Sequence, residues 1–330
     1  MLKTGLFGVG HLGKIHLKIL KELKGFDLVG IYDADKKVAE KVSKEFNVPA
    51  FSDEQSLFDA VDALDIVTPT PAHYDLALKG LKGGKHVFVE KPLAHNLEQA
   101  HELMELSEES PVIAQVGHVE RFNPAFKMVE PLAMNPMFIE SHRLAPFNPR
   151  GTEVSVVMDL MIHDIDLLLT VVKSNVKSIN ASGVAVVSNT VDIANARIEF
   201  DDGAVANLTA SRISLKKMRK IRLFRNSAYL SVDLLEKEAE IFLSTGDKSL
   251  KDKVDAMEGV KNSFTIGEGM NKKDVTFIKP KIVNNNAIAE ELTEFRNSIV
   301  EGQEVVVSFS DGYKAMYIAD QIQRKIEKKI

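Results

Sequence analysis

Two groups of residues in this 330-residue chain have the types and spacing to do chemistry. The first is Glu90-Lys91, which follows the apolar run Val87-Phe88-Val89 and precedes Pro92. Such a run reads as a short buried strand, and proline, with no N–H for a sheet ladder, stops it. A charged pair at the carboxyl end of a strand in an open α/β sheet stands where these folds bind ligands. A lysine there can donate to a reacting oxygen and stabilise negative charge on it, or act as a base if burial lowers its pKa. The second group is Asp159 and His163, within Val156-Val157-Met158-Asp159-Leu160-Met161-Ile162-His163-Asp164-Ile165-Asp166. On a helix they stand one turn apart on one face, with Asp166 close to the same stripe. A carboxylate so placed can orient the imidazole and raise its basicity, as proton transfer requires. The bland alternative is a histidine satisfied in the core. Asp159, His163 and Asp166 could also be metal ligands, but zinc sites usually add further His or Cys, so no metal is expected.

The elements that position Lys91 begin at Gly8-Val9-Gly10-His11-Leu12-Gly13, a G-x-G-x-x-G between an apolar strand, Leu2–Gly8, and a helical pattern, His11–Leu23. Its glycines allow a tight turn, close approach to a pyrophosphate, and close helix–strand packing. The helix N-terminus adds unpaired N–H groups and a positive dipole end. Asp33 ends the second strand 20 positions beyond Gly13, the reach expected to a ribose 2′-hydroxyl. A carboxylate there repels a 2′-phosphate, and no arginine stands in Tyr32-Asp33-Ala34-Asp35, so NAD is predicted over NADP. In Thr68-Pro69-Thr70-Pro71, two prolines hold an extended loop and small hydroxyls let a cofactor lie close. Glu90 completes the predicted cofactor set of Gly8, Gly10, His11, Leu12, Gly13, Asp33, Thr68, Pro69 and Glu90. His73 reads equally as a cap, a surface residue or a ligand contact.

Strands and helices alternate from Leu2 to Val119, which argues for a doubly wound parallel sheet. Beyond Asp166, Val176–Ser188, Val191–Phe200, Val205–Ile213, Arg219–Asn226 and Ala239–Ser244 read as antiparallel strands, with Asp201-Asp202-Gly203 as a hairpin turn. The predicted domains are therefore 1–120, for the cofactor, and 121–330, for substrate and assembly. The polar segment 245–273 reads as a long loop. Asn286–Val300 and Asp311–Lys329 read as amphipathic helices covering the second sheet, and Lys216 to Lys220 as a solvated edge or turn rather than a phosphate-binding patch. His118, Glu120, Arg121 and Asn123 crowd the exit of the last parallel strand, either as a substrate rim or as a domain-linking salt-bridge cluster. Arg121, Asn123, Arg143 and Arg150 are the candidates for substrate, the arginines for a diphosphate.

The glycine motif, Asp33, Thr68-Pro69 and Gly84-Lys85-His86-Val87 leading into Glu90-Lys91-Pro92 together resemble the glucose–fructose oxidoreductase/inositol dehydrogenase family. The resemblance implies a Rossmann domain followed by an α/β domain with a large open sheet, and oxidation or reduction of sugar and polyol hydroxyl or keto groups. It also implies a cis Lys91–Pro92 peptide, action of Asp159 and His163 together with Lys91, and homodimers or tetramers formed through the open sheet. Gly151-Thr152-Glu153-Val154-Ser155 departs from the glycine cluster that many members carry before the Asp. Gly117-His118-Val119-Glu120-Arg121-Phe122-Asn123-Pro124 resembles the branch acting on nucleotide-linked amino sugars, such as UDP-N-acetylglucosamine 3-dehydrogenases. The implied reaction is NAD-dependent oxidation of a sugar secondary alcohol, with His163 or Lys91 as base. Its rivals are an inositol or free-sugar dehydrogenase, an NAD-dependent glycosidase, and a dinucleotide sensor without activity.

Composition narrows the classes. A hydrophobic fraction of 45% with 27% charged residues is ordinary for a soluble globular protein, and a net charge of −5 argues against a nucleic-acid binder. There are no cysteines, which excludes disulfides and thiolate chemistry and fits a reducing compartment. Met1 to Gly10 reads as a first strand rather than a signal peptide, and four ionisable residues interrupt the apolar stretch 154–172, so a cytoplasmic location is expected.

Overall fold

The computed structural model describes residues 1–148, 154–244, 248–268 and 272–328. It divides into two compact units, Met1–Val119 with Asn286–Tyr317, and Glu120–Asn285 with Ile318–Ile330. In chain order the first carries β1 (Leu2–Phe7), α1 (His11–Glu22), β2 (Phe26–Tyr32), α2 (Lys36–Phe46), α3 (Glu54–Ala60), β3 (Ala63–Ile66), α4 (His73–Lys82), β4 (His86–Glu90), α5 (Leu97–Glu109) and β5 (Ala114–Gly117). The second carries α6 (Pro124–Ala133), β6 (Phe138–Leu144), a π turn at Val157–Met161 running into α7 (Ile162–Val171), β7 (Val176–Val184), β8 (Ile193–Phe200), β9 (Val205–Ser211), β10 (Met218–Arg225), β11 (Ala228–Asp233), β12 (Glu238–Ser244), α8 (Lys248–Asp255), β13 (Gly259–Ile266) and β14 (Lys273–Pro280). Two helices end the chain, α9 (Ala287–Val300) and α10 (Phe309–Glu327).

The first sheet is parallel, in the order β2-β1-β3-β4-β5. Its strands are apolar on both faces because helices cover both. Leu2, Ala63 and Phe88 pack with Ile19 and Leu20 of α1 and with Leu292 and Phe295 of α9. Gly5, Leu64 and Val87 are register partners on the opposite face, where Leu57 of α3 and Gly80 of α4 come against them. Asp53 starts the unforeseen helix α3 by accepting from the Ser56 N–H at 2.8 Å.

The predicted role of the C-terminal helices holds for α10 from Ile318 onward, where Ile326 meets Gly183 of β7, and needs correction for the rest. The segment 286–317 returns to the first unit: α9 packs on α1, and the Val116 N–H donates to the Val307 carbonyl at 3.0 Å. An amphipathic stripe shows that a helix covers something, not which sheet it covers.

The second sheet has nine strands in the order β13-β14-β12-β11-β10-β6-β9-β8-β7, antiparallel except for the β6–β9 pair. Asp201-Asp202-Gly203 forms the β8–β9 hairpin, with Gly203 at φ +88°. One face is closed by α6 and α7 over Ile139, Leu223, Leu230 and Ile241. The segment 245–273 is not all loop, since α8 and the exposed strand β13 lie within it. Lys216 and Lys217 are exposed in a turn as predicted, but that turn feeds β10, a central strand rather than an edge. No helix among the described residues is long and apolar enough to cross a membrane.

Candidate active site

β1 delivers the chain into the glycine motif, whose three glycines differ in what they touch. Gly8 adopts φ +91°, and a Cβ there would lie 2.7 Å from the Thr68 backbone nitrogen. At Gly13 a Cβ would strike the Gly8 carbonyl oxygen, so that glycine lets α1 sit close to the strand. Nothing lies within 4 Å of the space above Gly10, which begins α1 with no side-chain cap on its first N–H groups. His11 is exposed on the first turn, followed by the half-buried Leu12. Beside this turn the Thr68 hydroxyl oxygen is buried and has no partner among the described residues. An open cradle, a helix N-terminus with no side-chain cap and a hydroxyl buried without a partner among the described residues fit a dinucleotide diphosphate.

Asp33 is set in place by backbone donors. Its Oδ2 accepts from the Val9 N–H and its Oδ1 from the Asp35 N–H, both at 2.9 Å. The carboxylate is thereby held beside the motif at the end of β2. NAD is expected to bind more tightly than NADP, with Asp33→Ser narrowing the gap. Fluorescence titration with each dinucleotide measures it, and equal affinities for the unaltered protein would sink the assignment.

At the end of β4, buried Glu90 accepts the Lys91 N–H on Oε2 at 3.2 Å, and the Lys91–Pro92 peptide is cis. His73 is buried rather than a surface residue, and its backbone N–H caps the turn Thr70–Ala72 by donating to the Thr70 carbonyl. Its Nδ1 lies 2.8 Å from the Pro92 carbonyl oxygen and its Nε2 2.8 Å from that of Thr68, which ties the two loops together. Burial pushes its pKa down, although both carbonyls favour the protonated ring. Pro69 is exposed at the start of the Thr68 loop.

In the second unit, Asp159 lies inside the π turn and His163 in the first turn of α7, both half-buried. The Ile162 N–H reaches the Val157 carbonyl five residues back, a widened turn that a regular helical reading does not foresee. Such π turns recur at functional sites. The residues next to His163 on α7 are anchored. Asp166 takes Nε and Nη2 of Arg121 at 2.9 and 2.7 Å, while Asp164 takes Nε and Nη2 of Arg143 at 2.8 and 3.1 Å. Arg143 also donates from Nη1 to Glu120 at 2.8 Å, and Arg219 reaches the same carboxylate at 3.4 Å.

These contacts show what several predicted substrate residues are paired with. Arg143, 3% exposed, and Arg121, 10% exposed, have their guanidinium groups engaged by buried carboxylates. Asn123 caps α6 by accepting the Ala125 N–H at 3.1 Å, and its amide donates to the Leu234 carbonyl at 2.9 Å. The pairs Arg121–Asp166, Arg143–Asp164 and Arg143–Glu120 are ion pairs, as one of the two readings for this cluster expected, but these three lie within the second unit and do not link it to the first. Arg150 lies outside the described residues. Asp166, weighed as a metal ligand, is held by Arg121.

Sequence reading missed His16. It is fully buried on α1, with Nδ1 3.0 Å from Asp65 Oδ2 and Nε2 3.2 Å from Glu90 Oε1. The second contact is an ion pair off the hydrogen-bond direction. Burial alone would lower the His16 pKa, but Asp65 and Glu90 outweigh it and raise it well above its ordinary value. A signal was present: Asp65 interrupts an otherwise apolar strand, Ala-Leu-Asp-Ile, and a buried carboxylate needs a partner.

Residues 2–118 match the family described as oxidoreductase, NAD-binding Rossmann fold, and residues 138–234 match the GFO/IDH/MocA C-terminal domain. The chain belongs to the GFO/IDH/MocA oxidoreductase family. It is thus an NAD-binding oxidoreductase. Among its relatives, the UDP-N-acetylglucosamine 3-dehydrogenase of Acidithiobacillus ferrooxidans is 31% identical over 327 residues, which is 99% of this chain and 97% of that one. The solved structure of that enzyme superposes with a TM-score of 0.86, covering 99% of this chain and 98% of that one at 30% identity. The scyllo-inositol 2-dehydrogenase (NAD(+)) of Bacillus subtilis is 31% identical over 64% of this chain and 68% of that one. Levoglucosan dehydrogenase, solved with NADH and levoglucosan, shares the fold at a TM-score of 0.81 and 19% identity, covering 100% of this chain and 98% of that one.

Proposed function

We propose that the protein is an NAD-dependent dehydrogenase of a nucleotide-linked sugar, oxidising a secondary alcohol such as the 3-hydroxyl of a UDP-amino sugar. The observation that carries the substrate class is the near end-to-end similarity to the A. ferrooxidans UDP-N-acetylglucosamine 3-dehydrogenase. The Gly8–Gly13 turn, Thr68 and Asp33 hold the dinucleotide, with Glu90 fixing the peptide at the end of β4. Bound NAD supplies the hydride acceptor. Lys91 donates to the reacting oxygen and stabilises the negative charge that develops there. His163, oriented by Asp159, takes the hydroxyl proton.

The test is to incubate the protein with NAD and, separately, UDP-N-acetylglucosamine, free N-acetylglucosamine, scyllo-inositol and myo-inositol, and to follow NADH. NADH with the UDP-sugar alone is the expected result. NADH from an inositol instead would favour the second reading, an inositol dehydrogenase, for which the B. subtilis similarity speaks. Tight NAD binding without NADH from any of these or from other sugars would favour a dinucleotide sensor.

We also propose that the protein assembles as a homo-oligomer through the open face of the nine-stranded sheet. Phe138, Phe224, Tyr229, Phe242 and Phe277 are register partners across five adjacent strands, on the face opposite Ile139 and Leu223. Phe224 stacks with Phe138 at 5.8 Å and with Tyr229 at 4.8 Å between ring centroids. A continuous aromatic stripe of this kind is what a subunit interface buries. Phe224→Glu is expected to shift the protein to monomer in analytical ultracentrifugation. An unaltered protein that sediments as a monomer would overturn the assignment.

A further inference from the structure

The stripe a helix lays on a sheet is ordinarily apolar. On α1 it includes His16, alongside Gly13, Leu17 and Leu20. The sheet answers in kind. Leu6, Asp65 and Phe88 are register partners, so Asp65, Phe88 and Glu90 project to the face that α1 covers. There the imidazole lies between two carboxylates, 3.0 Å from Asp65 and 3.2 Å from Glu90, with its ring against Phe88 at 5.9 Å between centroids. From the neighbouring strand, Gly117 leaves the room that Glu90 occupies. A Cβ at Gly117 would lie 2.9 Å from the carboxyl carbon. The other Glu90 oxygen, Oε2, accepts the Lys91 N–H.

Two buried carboxylates on neighbouring strands, projecting to the same face of a sheet, repel and would not hold one geometry without a cation between them. His16 supplies it. We propose that His16 is a positioning residue for Lys91: Asp65 fixes the imidazole, the imidazole fixes the Glu90 carboxylate, and Glu90 holds the Lys91 backbone. His73 lies 2.8 Å from the Pro92 carbonyl, so the segment that presents Lys91 has a buried histidine on each side, His16 acting through Glu90 and His73 directly. The raised pKa of His16 agrees with a ring that stays protonated at neutral pH. This inference rests on the reading of Lys91 as the residue that meets the substrate.

The test uses the full chain with NAD and three readouts. One is the NAD dissociation constant. Another is the rate at which trinitrobenzenesulfonate labels Lys91, read by peptide mass spectrometry against the exposed Lys216. The last is NADH formation from the UDP-sugar. His16→Gln is expected to leave NAD binding and Lys216 labelling as they were, to change Lys91 labelling several-fold, and to lower kcat on the order of ten- to a hundredfold with KM unchanged. Added to Lys91→Ala, it should cost little more, since the two act as a unit. Asp65→Asn, nearly isosteric, should repeat the pattern and stands in should His16→Gln fail to fold. Unchanged Lys91 labelling, or losses that add in full with Lys91→Ala, would overturn the proposal. The labelling arms decide it even where no sugar is oxidised, a result that would count against the proposed function alone.

Discussion

Lys91→Ala is expected to lower kcat on the order of a hundredfold or more, the usual scale for a group that acts on protons or charge in the transition state. NAD binding should stay close to that of the unaltered protein, because the cradle is built from Gly8, Gly10, Thr68 and Asp33. His163→Ala is expected to fall by a similar factor, and its pH profile separates the two residues. With His163 as base, kcat/KM of the unaltered enzyme rises with pH as a single proton is lost, and that limb disappears in His163→Ala. A His163→Ala enzyme of full activity beside a dead Lys91→Ala would make Lys91 the base. Steady-state rates over a pH series, with NAD saturating, measure both.

Arg143→Leu is expected to cost about 3–5 kcal/mol of stability, because it removes one partner of a buried ion network and leaves Asp164 and Glu120 without their shared cation. Burial alone would make Arg143 give up its proton more easily, but Asp164 and Glu120 more than reverse that. The loss should appear as a lower urea midpoint at unchanged slope. Arg143→Leu combined with Asp164→Leu and Glu120→Leu should be less destabilising than Arg143→Leu alone, since an apolar replacement of a whole buried network leaves no charge stranded. A triple variant no more stable than the single one would show that packing around Arg143, rather than its charge, carries the effect. Because Asp164 adjoins His163 on α7, Arg143→Leu should also lower kcat.

Local chemistry made much of the first unit legible. The glycine motif demands a strand before it and a helix after it, and Asp33 sits at the reach a ribose needs, so β1, α1 and β2 follow from spacing. Pro92 ends β4 because it cannot continue a ladder, and this places Lys91 at a strand end. Asp201-Asp202-Gly203 forms its hairpin because glycine takes the positive φ without strain. By contrast β6, β11 and β14 were not foreseen. For β6 the neighbours that make it a strand are distant in sequence, as where Phe138 meets both Phe224 and Val205.

The same division runs through the candidate site. By itself the sequence determined the residue types: an NAD cradle at Gly8–Gly13, a lysine at a strand end, and an Asp–His pair on one helical segment. Those depend on near neighbours, and glycine, proline and periodicity report them directly. Only the tertiary structure decided partnership. Arg121 and Arg143 look from sequence like free cations for a diphosphate, and folding pairs them with Asp166, Asp164 and Glu120. His16 looks like one more residue of α1, and folding sets it between Asp65, 49 positions away, and Glu90. A charge carries no mark of which opposite charge it will meet, because that follows from the packing of whole elements once water has been excluded from between them.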